Sequence, residues 1–439
     1  MILSLAALSA AGSVYAADDA ASPQPSPHDE KETRAGTNLV TVEALVGKAL
    51  AKNPELEFYR AEIVAAKAGR KTAALMPNPE LSGMAGYKNS REISTGLGAE
   101  GIAWSVSFVQ PFEWPGRIGL RKAIANRDVE LAELGLERFR VALASRVRVL
   151  AYGLFVAEEK TSATREVAER FKALREVLVQ REPAGIAPLL ETRVIEATEL
   201  TMQRRASEAE LAGRSALLEL NQLRGAAPGE ALSIVEPGLK FGAPDSNAVL
   251  LALARTNNFE LRVRAAELAQ QGFRVALARN ERFPAIKVGP SFSEENAFER
   301  ERVVGLGVSF PLPLWNRNGG NIEAAAARQM QAETSLLVAQ REVDRKVIEA
   351  AVTYESKVRE MGKWRTDAVA HFREAAELAD RHYRLGAVPV TTYVELQKQY
   401  LEAVEGLLGT RREALEAAQN LQLLTGAPTA LVTSAGEKP

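Results

Sequence analysis

Asn53-Pro-Glu-Leu56 returns as Asn258-Phe-Glu-Leu261, and that return decides the fold. Working outward, Ala61-Glu62 matches Ala266-Glu267, Pro79 matches Pro284, and Pro111 and Arg117 match Pro311 and Arg317. The apolar set Leu136, Phe139, Leu143, Val147, Leu150 and Leu154 falls on Leu336, Ala339, Val343, Val347, Ala350 and Tyr354. Gly185 and Gly225 fall on Gly386 and Gly426. A duplication this long means two copies of one supersecondary unit, each leaning on the other. The pattern places a first repeat at 41–230, a connector at 231–246, a second repeat at 247–426 and a C-terminal tail at 427–439.

Composition narrows the function. The chain has 439 residues and a formal net charge of −1, with acidic and basic residues dispersed, so it lacks the basic footprint that nucleic acid requires. It contains no cysteine, which removes disulfides, thiol chemistry and thiolate metal sites together. The three histidines, His28, His371 and His382, form no ligand pair at helical spacing, so no metal site and no cofactor is expected. Neither repeat reads as an enzyme domain. Met1 to Ala11 followed by Val14-Tyr-Ala16 reads as a signal peptide over 1–16, and the stretch containing Ser22-Pro-Gln-Pro-Ser-Pro27 as an exposed linker over 17–40. Beyond that segment no apolar run is long enough for a transmembrane helix, so any membrane-spanning part must be built of strands.

Each repeat has the same grammar. Val42 to Ala74 has helical spacing broken early by Asn53-Pro54, and Pro77 and Pro79 end it. Two short alternating segments follow, Leu81 to Tyr87 and Ile102 to Phe108, joined by a polar loop from Lys88 to Glu100. In the second segment Ile102, Trp104, Val106 and Phe108 oppose Ala103, Ser105 and Ser107. The second repeat sets Ile286, Val288 and Phe292 against Lys287, Gly289 and Ser291. It also sets Val304, Leu306, Val308 and Phe310 against Gly305, Gly307 and Ser309, with a loop from Glu294 to Glu301. Large apolar residues on one face and small or polar ones on the other suit a tilted strand between lipid and water, although a half-buried soluble hairpin alternates in the same way.

Long helices come next. Arg117 to Arg181 is free of proline and apolar at three- and four-residue steps, and Arg317 to Leu385 does the same in the second repeat. Each ends in a turn, Glu182-Pro-Ala-Gly-Ile-Ala-Pro188 or Leu385-Gly-Ala-Val-Pro389, from which a shorter helix returns to Gly225 or Gly426. A soluble coiled-coil scaffold accounts for these helices but not for hairpins at matching points in both copies. Four strands cannot close a barrel, and an open sheet edge cannot face lipid. Three chains would supply about twelve strands and leave a water-filled lumen.

At this point the chain resembles the TolC-like outer-membrane efflux family from about Val40 to Gly426. The duplicated unit, the proline-marked strand-to-helix junctions and the turn Tyr383-Arg-Leu-Gly-Ala-Val-Pro-Val-Thr-Thr-Tyr-Val-Glu-Leu396 carry the likeness. Phe310-Pro-Leu-Pro-Leu-Trp-Asn-Arg-Asn-Gly-Gly320 is similar to the subgroup serving heavy-metal resistance pumps of the cobalt–zinc–cadmium type. The resemblance implies a mainly α fold with transmembrane β: a duplicated coiled-coil tunnel and four strands per chain, closing as a 12-stranded barrel in a homotrimer. It implies outer-membrane lipid around the barrel, a periplasmic adaptor at the helical tips, and an inner-membrane transporter of the resistance–nodulation–division class behind the adaptor. A type I secretion exit duct shares the fold and remains the alternative, beside the soluble scaffold.

The resemblance also implies roles for particular residues. Glu395 stands at an acidic ring position of the periplasmic gate, where confined charge would attract cations, and Tyr383 stands where a tyrosine holds the tip. Thr392 stands at a second acidic position and Val388 at an arginine position of the family's pattern, so the family's usual salt-bridge lock is not expected here in its usual form. Gly185, Ile186, Arg384, Leu385 and Gly386 form the expected adaptor-docking tips. Tyr87, Trp104, Trp114 and Trp315 are expected at strand ends, at the membrane interfaces.

Overall fold

The repeated asparagine turns out to be a staple between helix ends. The computed structural model describes residues 39–94, 96–181, 189–297, 299–364, 367–427 and 431–434. Helix α1 (Val42–Lys52) stops at Asn53 and α2 (Glu55–Ala73) starts just beyond it. Asn53 Oδ1 accepts from the Glu55 N–H (2.8 Å), while Nδ2 donates to the Leu223 carbonyl (2.9 Å) at the end of the returning helix α4 (Leu189–Leu223). The second repeat does the same between α5 (Asn247–Asn257) and α6 (Phe259–Asn280). There Asn258 Oδ1 accepts from Glu260 N (2.9 Å) and Leu261 N (3.2 Å), and Nδ2 donates to the Leu424 carbonyl (2.7 Å). One buried amide thus caps the start of one helix and satisfies an orphan carbonyl of another. Gly225 and Gly426 follow those carbonyls at φ of 65° and 64°, and an added Cβ would run into the Lys52 or Asn257 carbonyl at 2.8 or 2.3 Å.

Four strands form one antiparallel sheet in the order β2–β3–β6–β7: β2 (Glu80–Arg91), β3 (Gly98–Phe112), β6 (Ile286–Asn296) and β7 (Arg300–Ser309). The strands run further than the alternation suggested, and the expected loops Lys88 to Glu100 and Glu294 to Glu301 are largely strand. The cause is that polar residues at the hairpin ends still find cross-strand partners. Tyr87 donates to Glu100 (2.5 Å), Lys88 Nζ reaches Glu295 (2.5 Å), and Arg302 Nε reaches Glu294 (2.9 Å). Strands β2 and β7 are left with one unpaired edge each.

From β3 the chain enters α3 (Arg117–Arg181), 65 residues and about 95 Å long at 1.5 Å per residue. The second repeat departs from the expected unbroken helix: α7 (Gly319–Met361) stops and α8 (Ala368–Arg384) restarts. Gly362, a poor helix former, follows Met361, and the Trp364 indole is seated on Gly406 of α9 (Val390–Thr425), where a Cβ would stand 2.7 Å from the ring. The docked indole and the glycine together end the helix.

Two short strand pairings fall in the linker, connector and tail segments. Leu39–Val40 (β1), at the end of the linker, pairs in parallel with Ser233–Ile234 (β4), and Val432–Ser434 (β8), in the tail, pairs antiparallel with Leu239–Phe241 (β5). The Tyr354 hydroxyl, fully buried, lies 2.8 Å from both the Gly242 and Leu431 carbonyls and ties this small sheet to α7. The main core joins α3 (Leu143, Val147, Phe171) to α4, α8 and α9 through Ile195, Met202, Ala376 and Tyr393. A second core packs Val343, Val347 and Ala351 of α7 against Ala418 and Leu421 of α9. Alanine at many of these contacts lets the backbones approach closely.

Candidate functional site

The end of α8 is a hydrogen-bonded Schellman turn: Ala387 N–H donates to the His382 carbonyl and Gly386 N–H to Tyr383, both at 2.9 Å, with Gly386 at φ 74°. Pro389 then stands at the head of α9. Leu385 projects from the turn with 80% of its surface exposed, and Arg384 Nε donates to Asp380 (3.0 Å). Gly185 and Ile186, the expected counterparts in the first repeat, lie outside the described residues.

Beneath the turn the Tyr383 ring stacks on Tyr393 (centroids 5.2 Å, interplanar 18°), which packs edge-on against Phe171 of α3. The Tyr383 hydroxyl donates to Glu191 Oε2 (3.0 Å) in the first turn of α4. A carboxylate is favoured there by the exposed N–H groups of the helix start. This bond links the descending helix of one repeat to the returning helix of the other. Burial pushes the Tyr393 phenol well above its ordinary range, so it is neutral at any physiological pH.

Thr392 and Glu395 occupy exposed positions one turn apart on α9, and Glu395 Oε1 accepts from Gln399 (3.0 Å). A cluster that the sequence did not announce clips α8 to α3: Arg170 contacts Glu166 (2.7 Å) and Glu377 (3.7 Å), and Arg373 contacts the same two carboxylates at 3.2 and 3.6 Å. The repeat had located the helices, but their relative rotation decides which charges meet. The nearest signal was the i, i+4 pair Glu166 and Arg170.

On the sheet, the register puts Leu81, Tyr87, Ile102, Trp104, Val106 and Phe108 on one face with Val288, Phe292, Val304, Leu306 and Val308. These side chains are exposed or half-buried. The opposite face carries Ser82, Ser105, Ser107, Ser291 and Ser293 together with the ion pairs Lys88–Glu295 (2.5 Å) and Lys287–Glu80 (2.9 Å). Of the four aromatics expected at the membrane interfaces, Trp104 lies within β3 and Tyr87 within β2, because both strands continue beyond them. Trp114, just past β3, stacks on Phe283 (4.7 Å), and Trp315, between β7 and α7, is 94% exposed.

No group of three or more potential metal ligands occurs among the described residues. His371 is paired with Asp367 (2.7 Å), and both His371 and His382 lie on exposed positions of α8.

A sheet with an apolar face and a serine-lined face, carried on helices of this length, is the plan of an outer-membrane channel. The chain belongs to the outer membrane efflux protein family, whose profile matches residues 45–226 and 250–427. It is similar to the cobalt-zinc-cadmium resistance protein CzcC of Cupriavidus metallidurans, 23% identical over 398 residues that span 90% of this chain and 91% of that one. The nickel-cobalt-cadmium resistance protein NccC of Alcaligenes xylosoxydans xylosoxydans is 28% identical over 314 residues, 66% of this chain and 65% of the relative. Among solved structures, the CusC channel superposes with a TM-score of 0.69 at 15% identity, covering 89% of this chain and 93% of that one. The protein is thus an outer-membrane efflux channel of the TolC-like kind, with its long helices on the periplasmic side. Members of the family are channels rather than enzymes and work with adaptors and inner-membrane transporters.

Proposed function

We propose that three copies of this chain close a twelve-stranded barrel over a helical tunnel, and that the assembly passively exports heavy-metal cations. The carrying observation is the four-stranded sheet with one free edge on β2 and one on β7. In a membrane those edges must be paired, and a neighbouring copy supplies the missing strand on each side. The helices repeat the asymmetry. Helix α6 lies between α3 and α7 and is largely half-buried, whereas α2 packs chiefly on α3 and exposes Phe58 and Val64 at 67% each. On α7, Met330 (69%) and Val338 (57%) are exposed in the same way. Pairing α7 of one copy with α2 of the next covers both. The units assembled in this way are the repeats 41–230 and 247–426, joined by the connector 231–246.

Heavy-metal cargo follows from the likeness to CzcC and NccC, both resistance proteins for divalent metals. Substrate choice rests with an inner-membrane resistance–nodulation–division transporter, and a periplasmic adaptor docks on the tips at Arg384, Leu385 and Gly386 and on the first-repeat turn at Gly185 and Ile186. Tyr383 holds the tip through Glu191. Glu395 and Thr392 line the constriction, where three carboxylates concentrate cations. Tyr87, Trp104, Trp114 and Trp315 meet the membrane interfaces. The test is Glu395→Gln in planar bilayers: cation selectivity falls while the trimer still assembles. An unchanged reversal potential under a salt gradient would assign Glu395 to an ordinary solvated helix face.

A further inference from the structure

The apolar face of the sheet ends abruptly toward the hairpin loops. On β3, Ile102 to Phe112 rises roughly 25 Å at about 3.3 Å per residue and a tilt of about 40°, the height of a barrel's lipid-facing band. At the hairpin end of that band, on the same face and in register with Trp104 and Ile102, Val304 gives way to Arg302 and Arg300 and Phe292 to Glu294, while Asn89 and Arg91 follow Tyr87 just beyond it. Trp104 stands directly opposite Glu294, with its ring 5.2 Å from Phe292, so an aromatic layer marks the boundary.

Glu294 is the hinge of this edge. Its side chain is only 13% exposed, and it receives Arg300 Nε on Oε1 (2.6 Å) and Arg302 Nε on Oε2 (2.9 Å), while the two arginines remain 57% and 55% exposed. One carboxylate cannot neutralise two guanidinium groups or occupy their ten N–H donors. The pair therefore presents a surplus positive charge and spare donors, held in place, at the hairpin end of the apolar band.

We propose that Arg300 and Arg302, bridged by Glu294 on the lipid-facing side of β7, hold the phosphate groups of outer-leaflet lipid headgroups. The inference rests on the barrel reading above, with the hairpin loops on the outer side. Planar guanidinium groups suit phosphate because they donate two parallel hydrogen bonds, and they extend from an apolar stem to reach the headgroup layer. Strand β7 is also an edge strand, so ring closure brings β2 of the next copy alongside it, with Arg91 of that copy on the same face. The phosphate site thus lies at the seam, where a bound lipid adds contacts between copies.

The test uses full-length trimer purified in detergent, with diphosphorylated lipid A, its dephosphorylated form and inorganic phosphate as probes, and native mass spectrometry to count retained lipid. Wild-type trimer retains the phosphorylated lipid in preference to the dephosphorylated one. Arg300→Gln/Arg302→Gln loses roughly tenfold or more of that retention, as removal of charge-assisted hydrogen bonds implies. Where the double variant inserts poorly, Arg302→Gln alone gives the same direction, and Arg302→Lys recovers part of it. Equal retention of the two lipids, or undiminished retention by the variants, overturns the proposal. So does displacement of the lipid by inorganic phosphate at matched concentration, which would assign the site to free anion. The oligomeric state of the same samples is read separately: trimers without lipid preference refute the phosphate site alone, and detergent-free monomers refute the barrel.

Discussion

Replacing Tyr383 by phenylalanine removes one oxygen and leaves the stack on Tyr393 in place, so it isolates the bond to Glu191. A hydrogen bond to a charged acceptor contributes about 1.5–3 kcal/mol, and the part-buried setting of this one lowers that to about 1–2 kcal/mol. Three such bonds in the proposed trimer amount to about 3–6 kcal/mol, which is roughly a hundredfold to ten-thousandfold in the ratio of narrowed to widened tips. Single-channel conductance in planar bilayers reads this ratio. The variant should spend far more time in high-conductance states while forming the same trimer. Glu191→Gln should fall between, because the amide still accepts the bond but carries no charge. A Tyr383→Phe channel with wild-type conductance would show that the bond does not hold the tip.

The staple at Asn258 supports a second expectation. Asn258→Ala removes a helix cap and leaves the Leu424 carbonyl without its donor, at a cost of about 2–4 kcal/mol in chemical denaturation, and Asn258→Asp recovers the cap alone. Leu385→Glu should leave trimer stability unchanged yet abolish metal tolerance in cells, whereas Gly386→Val adds roughly 1–2 kcal/mol of left-handed strain; full tolerance in both would remove the tip from adaptor docking. At alkaline pH, burial holds Tyr152 and Tyr354 at about 12, above the unfolded value of 10.0. Their stabilisation is complete below pH 10 and lost as pH rises through 12. Phenolate absorbance from these two tyrosines should therefore appear together with helix loss, and its appearance near pH 10 with intact helices would contradict the burial argument.

The duplicated Asn-x-Glu-Leu motif made the repeat visible, but its mechanism needed coordinates. The amide reaches a carbonyl 170 residues away in one copy and 166 in the other, and no local pattern encodes that distance. Helix α3 was legible to its ends because proline is absent between its flanking turns. The stop after Met361 was not legible, since it depends on the Trp364 indole meeting Gly406 on a different helix. Alternation gave the faces of the strands correctly and their lengths too short, because the polar residues near the hairpin ends look like loop until their cross-strand partners are known. At the tip, Tyr383 could be singled out through the family likeness, whereas Glu191 could not, because that contact joins the two repeats.

The interruption between α7 and α8 has no counterpart in α3. The proposed threefold ring would hold six helical staves that look alike at the membrane and differ at mid-height, continuous and interrupted staves in alternation. In the proposed trimer the symmetry at that height is threefold and not sixfold, so an adaptor seated on the helical end would meet two kinds of seat in turn.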